Sequence, residues 1–163
     1  MAKYLIIFSL FFLYGCETYS EQVIKNEHFS FEDVKFNAVS KKLIFNNINE
    51  NNDIEVVKEK ISSWFNNKIK LDGFEGELEL NVNTINVNKI NEDQLYKYQI
   101  ELNIEFTEKN QVMNFKKTYN LNSIEYGTIK GNFTINDQER LNNNIINKSL
   151  ESITNKMLSI NNN

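Results

Sequence analysis

The chain has 163 residues, enough for one domain with a real core, and a formal net charge of −4 at pH 7. A mildly acidic balance suits nucleic acid poorly, because that affinity comes largely from Lys and Arg neutralising phosphates, so no nucleic-acid partner is expected. Cys16 is the single cysteine, which excludes an internal disulfide without fixing the redox compartment.

Asparagine is abundant, proline is absent, and Arg140 is the one arginine among 18 basic residues. The asparagines are scattered through patterned segments rather than gathered in one tract. That distribution fits the codon usage of an AT-rich genome better than an aggregation-prone segment.

The chain opens on Met1-Ala2-Lys3, with one positive charge. Tyr4 to Tyr14 is then an apolar run broken only by Ser9, and Gly15 and Cys16 follow. A charged start, a short apolar run and a small residue at the cut describe a secretory signal. The eleven residues of the run, at ~1.5 Å each, reach ~16 Å, short of a hydrocarbon core of ~30 Å, so the run does not read as a membrane span. A plain secretory signal with a chance cysteine is the other reading. Leu13-Tyr14-Gly15-Cys16 resembles the lipobox of bacterial lipoproteins, with Tyr14 where a smaller residue is usual. The resemblance implies that residues 1–15 are removed, that Cys16 is the lipidation site, and that acyl chains on Cys16 hold the chain to a membrane. Two or three such chains, at ~0.8 kcal/mol per buried CH₂, give lasting attachment. Glu17 stands where an aspartate would resemble an inner-membrane retention signal. The expected location is therefore the outer membrane, facing the periplasm, with the inner membrane left open. Loss of Lys3 with the leader takes the formal side-chain charge from −4 to −5, 17 basic against 22 acidic residues.

Residues 16–28 read as the lipidated cysteine and a polar tether, and residues 29–160 as a single α+β domain. Phe29 and Phe31 alternate, Val34, Phe36 and Ala38 alternate in the opposite phase, and Leu43 to Phe45 is apolar, so one or two strands of unfixed register lie here. Asn52 with Glu55 has the spacing of an N-cap and capping box. Ile54, Val57, Ile61, Trp64, Phe65 and Ile69 follow at helical spacing, with Gly73 as the stop. Leu78, Leu80 and Val82 alternate in a strand. Ile85 and Val87 continue on the other phase, which predicts a bulge near Thr84. Lys89 to Gln94 reads as a loop. Tyr96, Tyr98, Ile100, Leu102, Ile104 and Phe106 make the clearest strand, one face buried and one wet. Thr107 to Asn110 reads as a hairpin turn. The return strand carries Met113, Phe115, Tyr119 and Leu121 on one face and Lys116 and Thr118 on the other, with a Lys placed to face Glu101 or Glu105. Ser123 to Ile135 reads as a loop holding Gly127 and Gly131, with room for a short edge strand. A last helix starts at Asn136 with Glu139, and its stripe is Leu141, Ile145, Ile146, Leu150, Ile153, Met157 and Ile160. The order is β(β)αβββα: an antiparallel sheet of about four strands with two amphipathic helices on one face.

No residues combine into a catalytic, cofactor or metal site. His28, the one histidine, lies in the tether without convergent partners, and no Gly-rich phosphate loop or nucleophile elbow is present. Glu75, Glu77, Glu79, Glu101 and Glu105 form an acidic outer face, read as solvated rather than as a cation site. Trp64, Phe65 and the Tyr96–Phe106 stripe read as core rather than as a partner anchor or an acyl groove.

Trp64, Gly73-Phe74-Glu75-Gly76, Tyr98 to Phe106 and Glu139-Arg140 resemble the pattern of bacterial envelope lipoproteins of similar size. There a Trp-bearing helix, a Gly-x-x-Gly turn, alternating strands and a final helix recur. The order of elements also resembles, in architecture alone, the lipopolysaccharide-assembly lipoprotein that plugs the outer-membrane transport barrel. That family's basic contacts have no counterpart on this acidic chain. The reading is a non-enzymatic lipoprotein, an accessory or adaptor subunit with an envelope protein partner. The alternative is a module that binds or carries a lipid or lipopolysaccharide.

Overall fold

The computed structural model describes residues 29, 31–46, 48, 51–110 and 112–161. Cys16 and His28, and with them the lipobox and the whole of the tether, lie outside the described residues. Among the described residues six strands and two helices run β1 (Val34–Phe36), β2 (Ser40–Phe45), α1 (Asn52–Lys68), β3 (Ile69–Leu71), β4 (Glu77–Glu92), β5 (Leu95–Asn110), β6 (Phe115–Lys130) and α2 (Ile135–Asn161). The main sheet has the order β2-β4-β5-β6, and β1 and β3 form a second, two-stranded sheet. The α+β architecture expected from the sequence is present. The β4-β5-β6 meander is antiparallel, whereas β2 joins β4, and β1 joins β3, in parallel. Parallel neighbours need a crossover, and α1 supplies it for both pairs.

The meander's inner face is set by period-2 patterning. Tyr96, Tyr98, Ile100, Leu102, Ile104 and Phe106 on β5 are all at most 2% exposed. Leu78, Leu80 and Val82 flank them on β4, and Leu121 and Ile129 on β6. The β4 register slips between Val82 and Thr84, as the phase change in the sequence requires; the slip turns Ile85 inward.

Both helices cover this face, and their apolar stripes are buried in one core with the sheet. Trp64 of α1 donates its indole N–H to Thr154 Oγ1 of α2 at 3.0 Å, and Thr154 in turn donates to the Leu150 carbonyl at 2.8 Å. This buried chain satisfies the one polar atom of the largest α1 side chain and fixes the two helices against each other.

Several element ends differ from the sequence expectation. Asn51, not Asn52, caps α1, its Oδ1 accepting from the Ile54 N–H at 2.9 Å, while Glu55 pairs with Lys58 instead of closing a capping box. The helix stops at Lys68, five residues before Gly73, and Ile69 enters β3. Its last carbonyls are met from another element: Lys41 of β2 donates to the carbonyls of Phe65 (2.8 Å), Asn66 (3.2 Å) and Ile69 (2.6 Å). A cation there also complements the negative end of the helix dipole. Burial, and then repulsion from Lys70, lowers the Lys41 pKa from its usual range.

The segment 89–94 is not a loop. β4 runs to Glu92 and turns through Asp93-Gln94 alone. The second hairpin turns after Asn110 rather than before it. Asn110 Oδ1 accepts from the Met113 N–H, and Asn114 takes a left-handed backbone at φ 49°. β6 then continues through residues 123–130, expected to be loop, to Lys130. Glu101 and Glu105 face Ile124 and Asn120 across the pair, so neither meets a Lys there. The capping box of α2 lies two residues early, on Thr134 and Asp137 instead of Asn136 and Glu139: the Thr134 N–H and hydroxyl donate to Asp137 Oδ2, and the Asp137 N–H donates to Thr134 Oγ1. These bonds, and then Arg140, hold the Asp137 carboxyl below its usual value.

Replacement of Lys41 by Met keeps the stem and removes the cap, leaving the part-buried carbonyls of Phe65 and Ile69 and the exposed one of Asn66 without their shared donor. A loss of about 1–3 kcal/mol in urea unfolding is expected. An unchanged midpoint would show that the helix end is held by packing alone.

Candidate functional site: the loop end of the sheet

Three turns meet at one end of the sheet: residues 37–39 between β1 and β2, 72–76 between β3 and β4, and 112–114 between β5 and β6. The contacts that hold them are backbone contacts. The Val39 N–H donates to the Gly76 carbonyl at 3.1 Å, and the Asp72 N–H donates to the Phe36 carbonyl at 3.1 Å. Gly73 packs so closely on the first turn that a Cβ would lie 2.3 Å from Asn37 Oδ1 and 2.5 Å from the Ala38 nitrogen. Gly76 has φ +92°, and a Cβ there would lie 2.8 Å from the Lys109 carbonyl oxygen of the second hairpin. Both glycines of the Gly73-Phe74-Glu75-Gly76 turn are thus required, one by approach and one by conformation as well. Between them Phe74 is 95% exposed. On the neighbouring hairpin Val112 and Met113 are 77% and 73% exposed, and Val39 and Phe115 are exposed beside them.

Two adjoining shallow grooves, of about 290 and 260 Å³, run between these turns and share Glu77, Lys109 and Asn110. Val112 lines the first, and Ala38, Met113 and Phe115 line the second. The Lys109 ammonium lies 2.8 Å from Glu79 Oε2 and, with the Asn81 amide, holds the Glu79 carboxyl below its usual 4.5. The neighbouring Glu108 shifts the other way: burial raises its carboxyl, partly offset by Lys117. Lys117 also sits 5.1 Å from the centre of the Phe115 ring.

The residues singled out in the sequence fall elsewhere. Cys16 and His28 are outside the described residues. The five glutamates do not converge: Glu79 is taken by Lys109, Glu101 accepts from Asn86 at 3.2 Å, and among the described residues no group of three or more His, Cys, Asp or Glu is placed to hold a metal. Asparagines separate them. Asn46 donates to Asn83 (2.9 Å), Asn83 to Asn103 (3.4 Å) and Asn103 to Asn122 (2.5 Å), a row of amides crossing the outer face. Trp64, Phe65 and the β5 stripe are core. The sequence does not reveal the exposed apolar side chains of the loop end: it places Phe74 in a Gly-x-x-Gly turn and Met113 on the strand face of Tyr119 and Leu121, whereas both are exposed. The available signal was an aromatic residue flanked at close range by two glycines.

No family model and no curated protein matches the sequence. Among solved structures the chain is similar to a minor lipoprotein of Acinetobacter baumannii, at 12% identity over 78% of this chain and 90% of that one, with a TM-score of 0.38. It is similar to a lipoprotein of Caulobacter crescentus at 8% identity, over 72% and 88% of the two chains, with a TM-score of 0.40. It is also similar to rare lipoprotein B of Shewanella oneidensis at 10% identity, over 74% and 91%, with a TM-score of 0.35. All three are lipoproteins by name, and identity is low throughout.

Two outcomes test this geometry. Gly76→Ala should lose more than about 1 kcal/mol of stability, since it adds a left-handed penalty to a backbone collision, whereas Phe74→Ser should change stability by no more than about 0.5 kcal/mol. Equal effects of the two in thermal unfolding would refute the rigid-turn account. For Glu79, a depressed folded pKa contributes stability that is present above 4.5 and lost as pH falls through the depressed value. Glu108, with its pKa raised, contributes the opposite way: its share is full at low pH and lost as pH rises through the raised value. Lys109→Met should therefore move the Glu79 carboxyl titration, followed by carbon NMR, upward towards 4.5, with a smaller change at Glu108. A Glu79 midpoint unmoved by the substitution would exclude the pairing as its cause.

Proposed function

We propose that the chain is a membrane-anchored, periplasm-facing lipoprotein of the bacterial envelope, on the outer membrane, acting without catalysis as an accessory or adaptor subunit of an envelope assembly. The observation that carries the reading is the position of the single cysteine. Cys16 ends an apolar run too short to span a bilayer and stands thirteen residues before Phe29. Acyl chains on its sulfur convert a three-dimensional search for partners into one confined to a surface, which raises effective concentration there. What the body offers such partners is surface: an outer sheet face of amides and carboxylates with Ile124 and Tyr126 exposed, and the apolar loop end.

The alternative, a carrier with a lipid between sheet and helices, is less well supported. That space is occupied by Trp64, Tyr98, Phe106 and Leu150, each at most 4% exposed. The loop-end grooves lie at the rim, and the larger groove of about 560 Å³ between the start of α1 and the β4 bulge is open and lined in good part by Asn51, Asn83, Thr84 and Asn86, whereas a cargo site needs an enclosed apolar cavity of about 300 Å³ or more.

Mass spectrometry of the protein purified from membranes should find a chain that begins at Cys16 and carries acyl chains, and Cys16→Ser should move it out of the membrane fraction. A native chain with an unmodified thiol and residues 1–15 still attached would defeat the anchor. With the anchor intact, gentle detergent extraction should recover a stoichiometric protein partner; consistent recovery of the chain alone would defeat the adaptor role.

A further inference from the structure

We infer that the loop end is a second, non-covalent membrane contact: Phe74, Val112 and Met113 dip into the lipid surface that holds the anchor and set the orientation of the body on it. The inference rests on the anchored reading above.

Three features select a lipid surface as the occupant. The first is shape. The most exposed apolar side chains stand on two separate turns, Phe74 on one and Val112 and Met113 on the other, so they project as separate points beside open grooves instead of around a closed pocket. Phe74 is held out by a turn that two glycines lock in place. Points of this kind enter a deformable interface without needing a complementary surface.

The second is charge. In the three segments that build this end, 35–42, 70–77 and 108–117, Lys41 is spent on the end of α1 and Lys109 on Glu79, which leaves five exposed lysines against the exposed carboxylates of Asp72 and Glu75, in a chain of net −4. The rest of the molecule is correspondingly acidic. A negative leaflet therefore attracts this end and repels the remainder, at about 1 kcal/mol for each Lys near the surface before its acids are counted.

The third is the route of the chain. Asp33 sits beside Lys68 at 3.6 Å, and from there β1 needs only Val34–Phe36, ~10 Å of strand, to arrive at the loop end. Residues 16–28 can span at most ~45 Å, which allows the loop end to turn to the surface while the anchor is held there. An anchored sulfur and the apolar tips are then satisfied by the same leaflet.

The test uses the full-length acylated protein in vesicles of phosphatidylethanolamine and phosphatidylglycerol. Phe74→Cys, Val112→Cys and, on the outer sheet face, Ile124→Cys each carry an environment-sensitive fluorophore. Flotation reads attachment, and quenching by brominated lipid reads depth. The expected result is that all three float, that the labels at positions 74 and 112 are blue-shifted and quenched, and that the label at 124 stays aqueous. Reversal of charge in Lys116→Glu/Lys117→Glu should weaken the quenching at 74 without loss of flotation. Labels at 74 and 112 that remain aqueous on floating protein would overturn the inference and leave the anchor standing. A blue shift without lipid quenching would assign the end to a protein contact, a second copy included, and also overturn it. Protein that fails to float would overturn the inference and the anchor together.

Discussion

One apolar face on β5 imposes the rest of the architecture. Six alternate side chains from Tyr96 to Phe106 line the middle strand of the meander, and at roughly 25 cal/mol per Å² of apolar surface an uncovered face of that size could not remain in water. The flanking strands widen the face, and two helices are the least chain that covers it. α1 must return across the sheet to do so, which makes β2 and β4 parallel and leaves its C-terminal carbonyls over the sheet edge. Lys41 answers that local cost. An inward lysine on an edge strand is also a means of discouraging further strands from adding there. The buried Trp64–Thr154 bond then joins the two covers, so that sheet, crossover and cap form one connected solution to a single burial problem.

What could be read from the sequence follows from the range of the interactions involved. β5, the two helical stripes and the bulge near Thr84 are written in local periodicity, where a side chain's neighbour is fixed by its own strand or helix. The ends were misjudged wherever a distant element decides them. Nothing within residues 60–73 records that Lys41 closes α1, so Gly73 was the natural stop. Asn51 and Asn52 offer the same cap chemistry, and only the phase of the packed stripe chooses between them. β6 was cut short because Ile124 and Tyr126 on its outer face and Gly127 on its inner face break the alternation that marks a half-buried strand. Gly127 is open to a reason from across the sheet, since a Cβ there would lie 2.7 Å from Leu141 and 2.8 Å from Ile145 of α2. The parallel pairings are the least local feature and left no local trace.

The loop end shows the same limit from the side of function. Phe74 alternates acceptably with Leu78 and Leu80, and Met113 with Phe115, so period alone assigns both to buried faces. Their exposure is created by contacts between turns that are far apart in sequence: Gly73 against Asn37 and Gly76 against Lys109. A reading from residue types could reach Cys16, whose chemistry is local, but not a surface that exists only after three turns have met.

That surface is also where stability has been set aside. Leaving a Phe side chain in water forgoes about 1.5–3 kcal/mol of burial, and two ordered glycines add backbone entropy to the cost. A turn of polar residues would close β3 to β4 without either loss. An acyl anchor by itself fixes where a body is but not how it faces, because the tether leaves rotation free. In the anchored protein proposed above, a second contact need supply little energy to remove that freedom, since the anchor would confine it near the leaflet and give the effective concentration of the first contact to the second. A weak, rigidly presented apolar tip is sufficient for that purpose, and rigidity matters more than strength: a tip already ordered in the free protein loses no conformational entropy on contact, so most of what its burial yields goes into orientation.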